Sequence, residues 1–123
     1  MPTNDRVLII EQETLLALDI EYVLAGRGVA DVTHYRSVAD ATSRLTEFSA
    51  FHLALVEARL GSAEVIAFTE RLVRAGVATV VMSADRTSAE LFPHAIPLGK
   101  PFDAAGLIAA CDAAMACVAA RLS

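Results

Sequence analysis

The sequence predicts an α/β fold, a doubly wound five-stranded parallel sheet with helices on both faces, in a single domain over residues 1–123. Three observations predict it. Short, branched apolar runs such as Val7-Leu-Ile-Ile10 and Val77 to Met82 have the unbroken apolar character of strands buried on both faces. Segments of helical periodicity alternate with these runs along the chain. The crossovers such an alternation requires are right-handed, and winding them in both directions covers both faces of one sheet.

The first strand is the run that begins at Arg6. Leu16, Ile20, Val23 and Leu24 then recur at helical spacing, and Gly26 and Gly28 can stop that helix. Asp31 to Tyr35 reads as a weaker edge strand. Ser37-Val-Ala-Asp40 resembles a capping box and starts a second helix that buries Val38, Ala41, Leu45 and Phe48 and ends near Ser49. His52 to Glu57 is the third strand, and a helix from about Ser62 turns Val65, Phe68 and Leu72 inward and closes at Gly76. Val77 to Met82 is the fourth strand and Ile96 to Leu98 the fifth. Only 13 residues separate them, and Pro93 stops any helix begun at Ser88, so the fourth helix is shortened to one turn or missing. From Asp103 the chain is helical to Leu122, with Leu107, Ile108, Cys111, Met115, Val118 and Leu122 as its packing stripe.

A 123-residue chain has room for one hydrophobic core. Hydrophobic residues make up 55% and charged residues 20%, which excludes a disordered composition. Ten Lys and Arg against 15 Asp and Glu give a net charge of -5, the wrong sign for a protein that binds a phosphate backbone. Met1 to Arg6 has no signal-peptide pattern, so the mature chain is expected to start there. Asp103, Asp112 and Arg121 interrupt the most apolar region, and a cytoplasmic protein with no membrane span is expected. Cys111 and Cys117 fall on different faces of one helix, match no metal spacing, and read as buried thiols in a reducing compartment.

Open parallel sheets gather their chemistry beyond the carboxyl ends of the strands. Strand one ends at Glu11-Gln12, strand three at Glu57, strand four at Ser83, and strand five leads through Gly99 to Lys100-Pro101. Polar residues cap strands in many proteins, but here two acids, an amide, a hydroxyl and an amine converge on one edge. The run Val7-Leu-Ile-Ile-Glu11-Gln12-Glu13, the strand His52-Leu-Ala-Leu-Val-Glu57, the strand end Val80-Val-Met-Ser83-Ala84 and the segment Gly99-Lys100-Pro101-Phe102 together resemble the receiver domains of bacterial two-component response regulators. The resemblance covers essentially the whole chain. It implies a flavodoxin-like sheet, a site at Glu11, Gln12, Glu57, Ser83 and Lys100, and a cis bond before Pro101.

The departures from that family carry as much information. The resemblance implies a carboxylate pair for Mg²⁺ near Gln12 and a phosphoacceptor Asp where Glu57 stands. A neutral amide weakens a site for a hard, octahedral cation, leaving at most weak Mg²⁺ binding at Glu11 and Glu57 and no required cofactor. A side chain one methylene longer than Asp moves its carboxylate off the in-line attack position, so Glu57 reads as a degenerate phosphorylation site. It acts as a partial phosphomimic, or pairs with Lys100 in a site whose chemistry has decayed. The switch aromatic expected three residues before Lys100 is Pro97, which cannot swing between rotamers. The side chain of Arg59 carries no assigned role.

Nine alanines lie beyond Asp103, at 104, 105, 109, 110, 113, 114, 116, 119 and 120, and predict a second apolar face on helix 103–122. Such a face suits a partner or a homodimer, although alanine also serves helix propensity alone. Ser83, His94 and Asp85 include the residue types of a hydrolase triad but lack a nucleophile elbow. His34, His52 and His94 lack ligand spacing, and no glycine-rich phosphate loop follows strand one. The leading expectation is a non-enzymatic, phosphorylation-independent module that docks on a histidine kinase or other signalling protein. The alternative is a receiver that still takes phosphate from a histidine kinase.

Overall fold

A computed structural model describes residues 5–58, 62–84 and 90–122, excluding the side chain of Leu122. Its elements are β1 (Arg6–Ile10), α1 (Thr14–Gly26), β2 (Asp31–Tyr35), α2 (Val38–Arg44), β3 (Leu53–Glu57), α3 (Ala63–Arg74), β4 (Ala78–Ser83), β5 (Ile96–Gly99) and α4 (Ala104–Leu122). The strands form one parallel sheet in the order β2-β1-β3-β4-β5. The chain therefore winds outward from β1 in one direction to β2 and in the other through β3 to β5, as the sequence predicts.

Strand alternation divides the core between two layers. Val7, Ile9, Leu53, Leu55, Val80 and Met82 pack with Ile20 and Leu24 of α1 and Leu107 and Cys111 of α4. Leu8, Ile10, Ala54 and Val56 face the other way and pack with Val38 and Ala41 of α2 and Phe68 and Leu72 of α3. The central strands are apolar at every interior position except Thr79, whose hydroxyl donates to Val77 O at 2.9 Å, because both faces are covered. Pro97 is tolerated because β5 is an edge strand, and its side chain points outward. Helices α1 and α3 stop in the same way: Gly28 (φ 90°) and Gly76 (φ 82°) enter the left-handed region, and the next amide donates back to a carbonyl five residues earlier, Val29 to Leu24 and Val77 to Leu72.

Four expectations change on contact with the fold. The second helix ends at Arg44, because Leu45 turns extended and Phe48 opens a separate 3₁₀ turn at Phe48–Ala50. Phe48 still reaches the core, edge-on to Phe68 at 5.2 Å, and the Arg71 guanidinium covers its ring at 4.1 Å. The packing stripe of α4 runs through Leu107, Ala110, Cys111 and Ala114, with Ile108, Met115 and Val118 half-buried. Ala110 and Ala114 are core residues, since only small side chains let the helix lie close to the sheet. Cys117 is exposed, not buried. By length and composition Ala104–Arg121 is apolar enough to cross a membrane, despite Asp112 and Arg121, but it packs on the sheet through these four residues. Arg59, Asp85 and Ser88 lie outside the described residues. Among the described residues no α-helix separates β4 from β5.

Candidate functional site

Backbone hydrogen bonds carry the sheet one residue past three strand ends. Glu11 N donates to Tyr35 O (3.1 Å), Ala58 N to Met82 O (2.8 Å) and Lys100 N to Ser83 O (2.9 Å). Glu11, Glu57 and Lys100 thus leave β1, β3 and β5 at the same edge on rigid backbone.

Lys100 Nζ lies 2.7 Å from Glu11 Oε1 and 3.2 Å from Glu57 Oε2. The contact with Glu57 is a hydrogen bond, and the contact with Glu11 Oε1 is a close ion pair. Glu11 is fully buried, and its other oxygen accepts from the Glu13 amide at 3.0 Å. Glu57 Oε2 also accepts from the Gln12 amide at 3.4 Å. His34 Nε2 contacts the Glu11 carbonyl oxygen at 2.8 Å, closing the site on the β2 side.

The two carboxyls titrate in opposite directions. Burial, reinforced by the hydrogen bond with Glu57, raises Glu11 above the usual carboxylate value. Burial also works to raise Glu57, but the hydrogen bond from Glu11 and the Lys100 charge outweigh it and bring Glu57 down to about 2. Lys100 is raised because its two carboxylate neighbours outweigh its desolvation. At neutral pH, Glu57 is therefore a fixed anion against a fixed cation, with Glu11 the more readily protonated partner behind them.

Of the residues singled out from sequence, Glu11, Glu57 and Lys100 come together. Gln12 joins through its backbone only. Its side chain is exposed and makes no hydrogen bond among the described residues. Ser83 is buried at the end of β4 and receives the Lys100 amide on its carbonyl oxygen. The Lys100–Pro101 bond is cis. The set does not fit Mg²⁺: a lysine ammonium already lies between the two carboxylates, and the described residues contain no cluster of three His, Cys, Asp or Glu side chains able to hold a metal.

Solved structures match the fold along nearly the full length of the chain. A response regulator receiver protein from Sinorhizobium medicae superposes with a TM-score of 0.74 at 22% identity, over 93% of this chain and 96% of that one. The chain has the receiver fold. A CheY-like receiver domain protein from Methanospirillum hungatei gives a TM-score of 0.73 at 18% identity, covering 95% and 98% of the two chains. A structure described as an adenylate cyclase from Rhodopirellula baltica shares the receiver fold too, with a TM-score of 0.71, 15% identity and 97% and 93% coverage. No family model matches the sequence, and no curated protein matches it significantly.

Several surface features of this receiver fold escape a reading of single motifs. Leu15, Leu18 and Tyr22 form an exposed stripe on α1, with Leu15 79% and Tyr22 82% exposed. Their i, i+3, i+7 spacing is visible in the sequence, but it runs beside the stronger stripe of Leu16, Ile20 and Leu24. On α4, Cys117 is exposed beside Ala105, Ala109, Ala113 and Ala116 of the alanine face that the sequence predicts. Arg36 and Glu64 line a cavity beside Glu57, and no motif marks them.

Proposed function

We propose that this chain is a receiver-type module of two-component signalling that works by docking on a partner protein, without accepting a phosphoryl group. The observation that carries the reading is the Glu11–Lys100–Glu57 bridge. An ammonium already neutralises the carboxylate that would attack phosphorus, and it lies where a divalent cation would have to bridge the same oxygens. Glu57 then presents a constant negative charge at the end of β3, in place of one that comes and goes with phosphorylation. Pro97 on β5 supports the reading, because it removes the rotating aromatic through which such a charge change would be relayed.

The partner is a histidine kinase or another signalling protein of the cytoplasm. The exposed apolar residues of α4 suit such contacts, and a second copy of this chain is the other occupant that face would accept. The test is intact-protein mass after incubation with acetyl phosphate and Mg²⁺. The wild type should gain no phosphoryl group, whereas the double variant Gln12→Asp with Glu57→Asp should gain one. A stable adduct on the wild type would overturn the reading and establish a working phosphoacceptor.

A further inference from the structure

A cavity of about 520 Å³ opens at the carboxyl edge of β1 and β3, between the first turns of α2 and α3. Its size falls within the range of about 300–1,000 Å³ common for small-molecule sites. Its position is the crevice where the strand order reverses, with β1 leading to β2 on one side and to β3 on the other. Ile10, Val38 and Val65 give it apolar walls.

Arg36 and Glu64 also line this cavity, yet no ion pair joins them, and neither has another charged partner among the described residues. Four other arginines pair with acids: Arg6 with Asp31, Arg27 with Asp112, Arg44 with Asp40 and Arg74 with Glu70. A guanidinium and a carboxylate that line one crevice together with Ile10, Val38 and Val65 match a ligand that carries both charges. A simple anion would face Glu64, and a simple cation would face Arg36.

We propose that this cavity binds a small zwitterion of the α-amino-acid class with an aliphatic side chain. Arg36 takes the carboxylate as a planar fork, Glu64 takes the ammonium, and the side chain lies on Ile10, Val38 and Val65. The site adjoins Glu57 but does not depend on how Glu57 functions, since neither Lys100 nor any phosphoryl chemistry takes part in it.

L-Leucine is the probe, titrated into the ¹⁵N-labelled full chain and followed by amide chemical shifts. Saturable shifts centred on Gln12, Val38, Ala39 and Val65 are expected. Arg36→Ala and Glu64→Gln, both at exposed positions, should each weaken binding about tenfold, the loss expected for one charge-assisted hydrogen bond. The one-charge analogues 4-methylpentanoate and 3-methylbutylamine should lose a similar factor on the wild type. The proposal is overturned if leucine gives no saturable shift up to its solubility limit. It is equally overturned if either variant binds leucine like the wild type, or if either analogue binds as tightly as leucine.

Discussion

Lys100 Nζ bridges Glu11 Oε1 at 2.7 Å and Glu57 Oε2 at 3.2 Å, so one cation joins two carboxylates that leave different strands. Three charges drawn from β1, β3 and β5 make the carboxyl edge of the sheet a single electrostatic unit. The unit is largely buried on the Glu11 side and partly open at Glu57 and Lys100. Removing any member leaves the others short of a counter-charge, and stability measurements can detect that.

Lys100→Met should destabilise the fold by about 3 kcal/mol, the lower end of the range for breaking a buried pair, because Glu11 can take up a proton in response. Adding Glu11→Leu to that variant should recover at least half of the loss, since apolar replacement of a buried ion pair is often close to neutral. Urea denaturation of the two variants beside the wild type measures both effects. Equal stability of wild type and Lys100→Met would mean the bridge is only a surface contact.

Stability should fall at both ends of the pH range. Glu57 is lowered from 4.5 to about 2, so its contribution is complete above pH 4.5 and is lost as pH falls toward 2. Glu11 is raised, so folding grows less favourable as pH climbs from 4.5 through its higher folded value. Lys100 is raised above 10.5, so its contribution holds below pH 10.5 and disappears as pH rises through the folded value. Urea midpoints against pH should therefore show a steeper alkaline decline in the wild type than in Lys100→Met, whose remaining decline comes from the buried Cys111 thiol, pushed up to about 12. An identical alkaline decline in both proteins would contradict the bridge.

Two neighbouring alanines of α4 should respond in opposite ways. Ala114 is 2% exposed, and Ala114→Leu should cost about 1–3 kcal/mol through overpacking against the sheet. Ala113 is exposed, and Ala113→Leu should change the stability of the monomer by no more than about 0.5 kcal/mol. Sedimentation of the second variant reports separately on whether that face carries a partner copy.

The two thiols should differ sharply in reactivity. Cys117 is exposed and should react with a thiol reagent in the native protein. Cys111 is buried, and desolvation helped by the adjacent Asp112 pushes it up to about 12, so it should react only on unfolding. Two fast thiols in the folded chain would contradict the packing assigned to α4.

Much of the architecture was legible in the residues themselves. Val7 to Ile10 and Leu53 to Val56 could hardly be anything but strands buried on both faces, and the order of helices between them left one economical winding. Ser37 and Ser62 marked helix starts that the structure bears out, their hydroxyls accepting from Asp40 N and Val65 N. The second helix read too long, because Leu45 and Phe48 keep helical spacing while the backbone between them is extended. Periodicity records which residues are buried, and an extended Leu45 followed by a 3₁₀ turn at Phe48 buries the same two residues against α3.

The sequence by itself determined the alternation of elements, the buried strands and the set of polar residues that end them, since each depends on local propensity and on which side chains avoid water. Only the tertiary structure decided what those polar residues do to one another. Glu11 and Glu57 are 46 positions apart in the chain, and whether they repel, share a proton or hold a metal depends on what lies between them. The fold puts Lys100 there, because β5 ends at the same edge of the sheet. The same holds for Ala110 and Ala114, whose burial follows from how closely α4 approaches the sheet, and for Arg36 and Glu64, which come from the residue after β2 and the first turn of α3 and line a single cavity. Composition cannot express such distances, because charges interact through space and not along the chain.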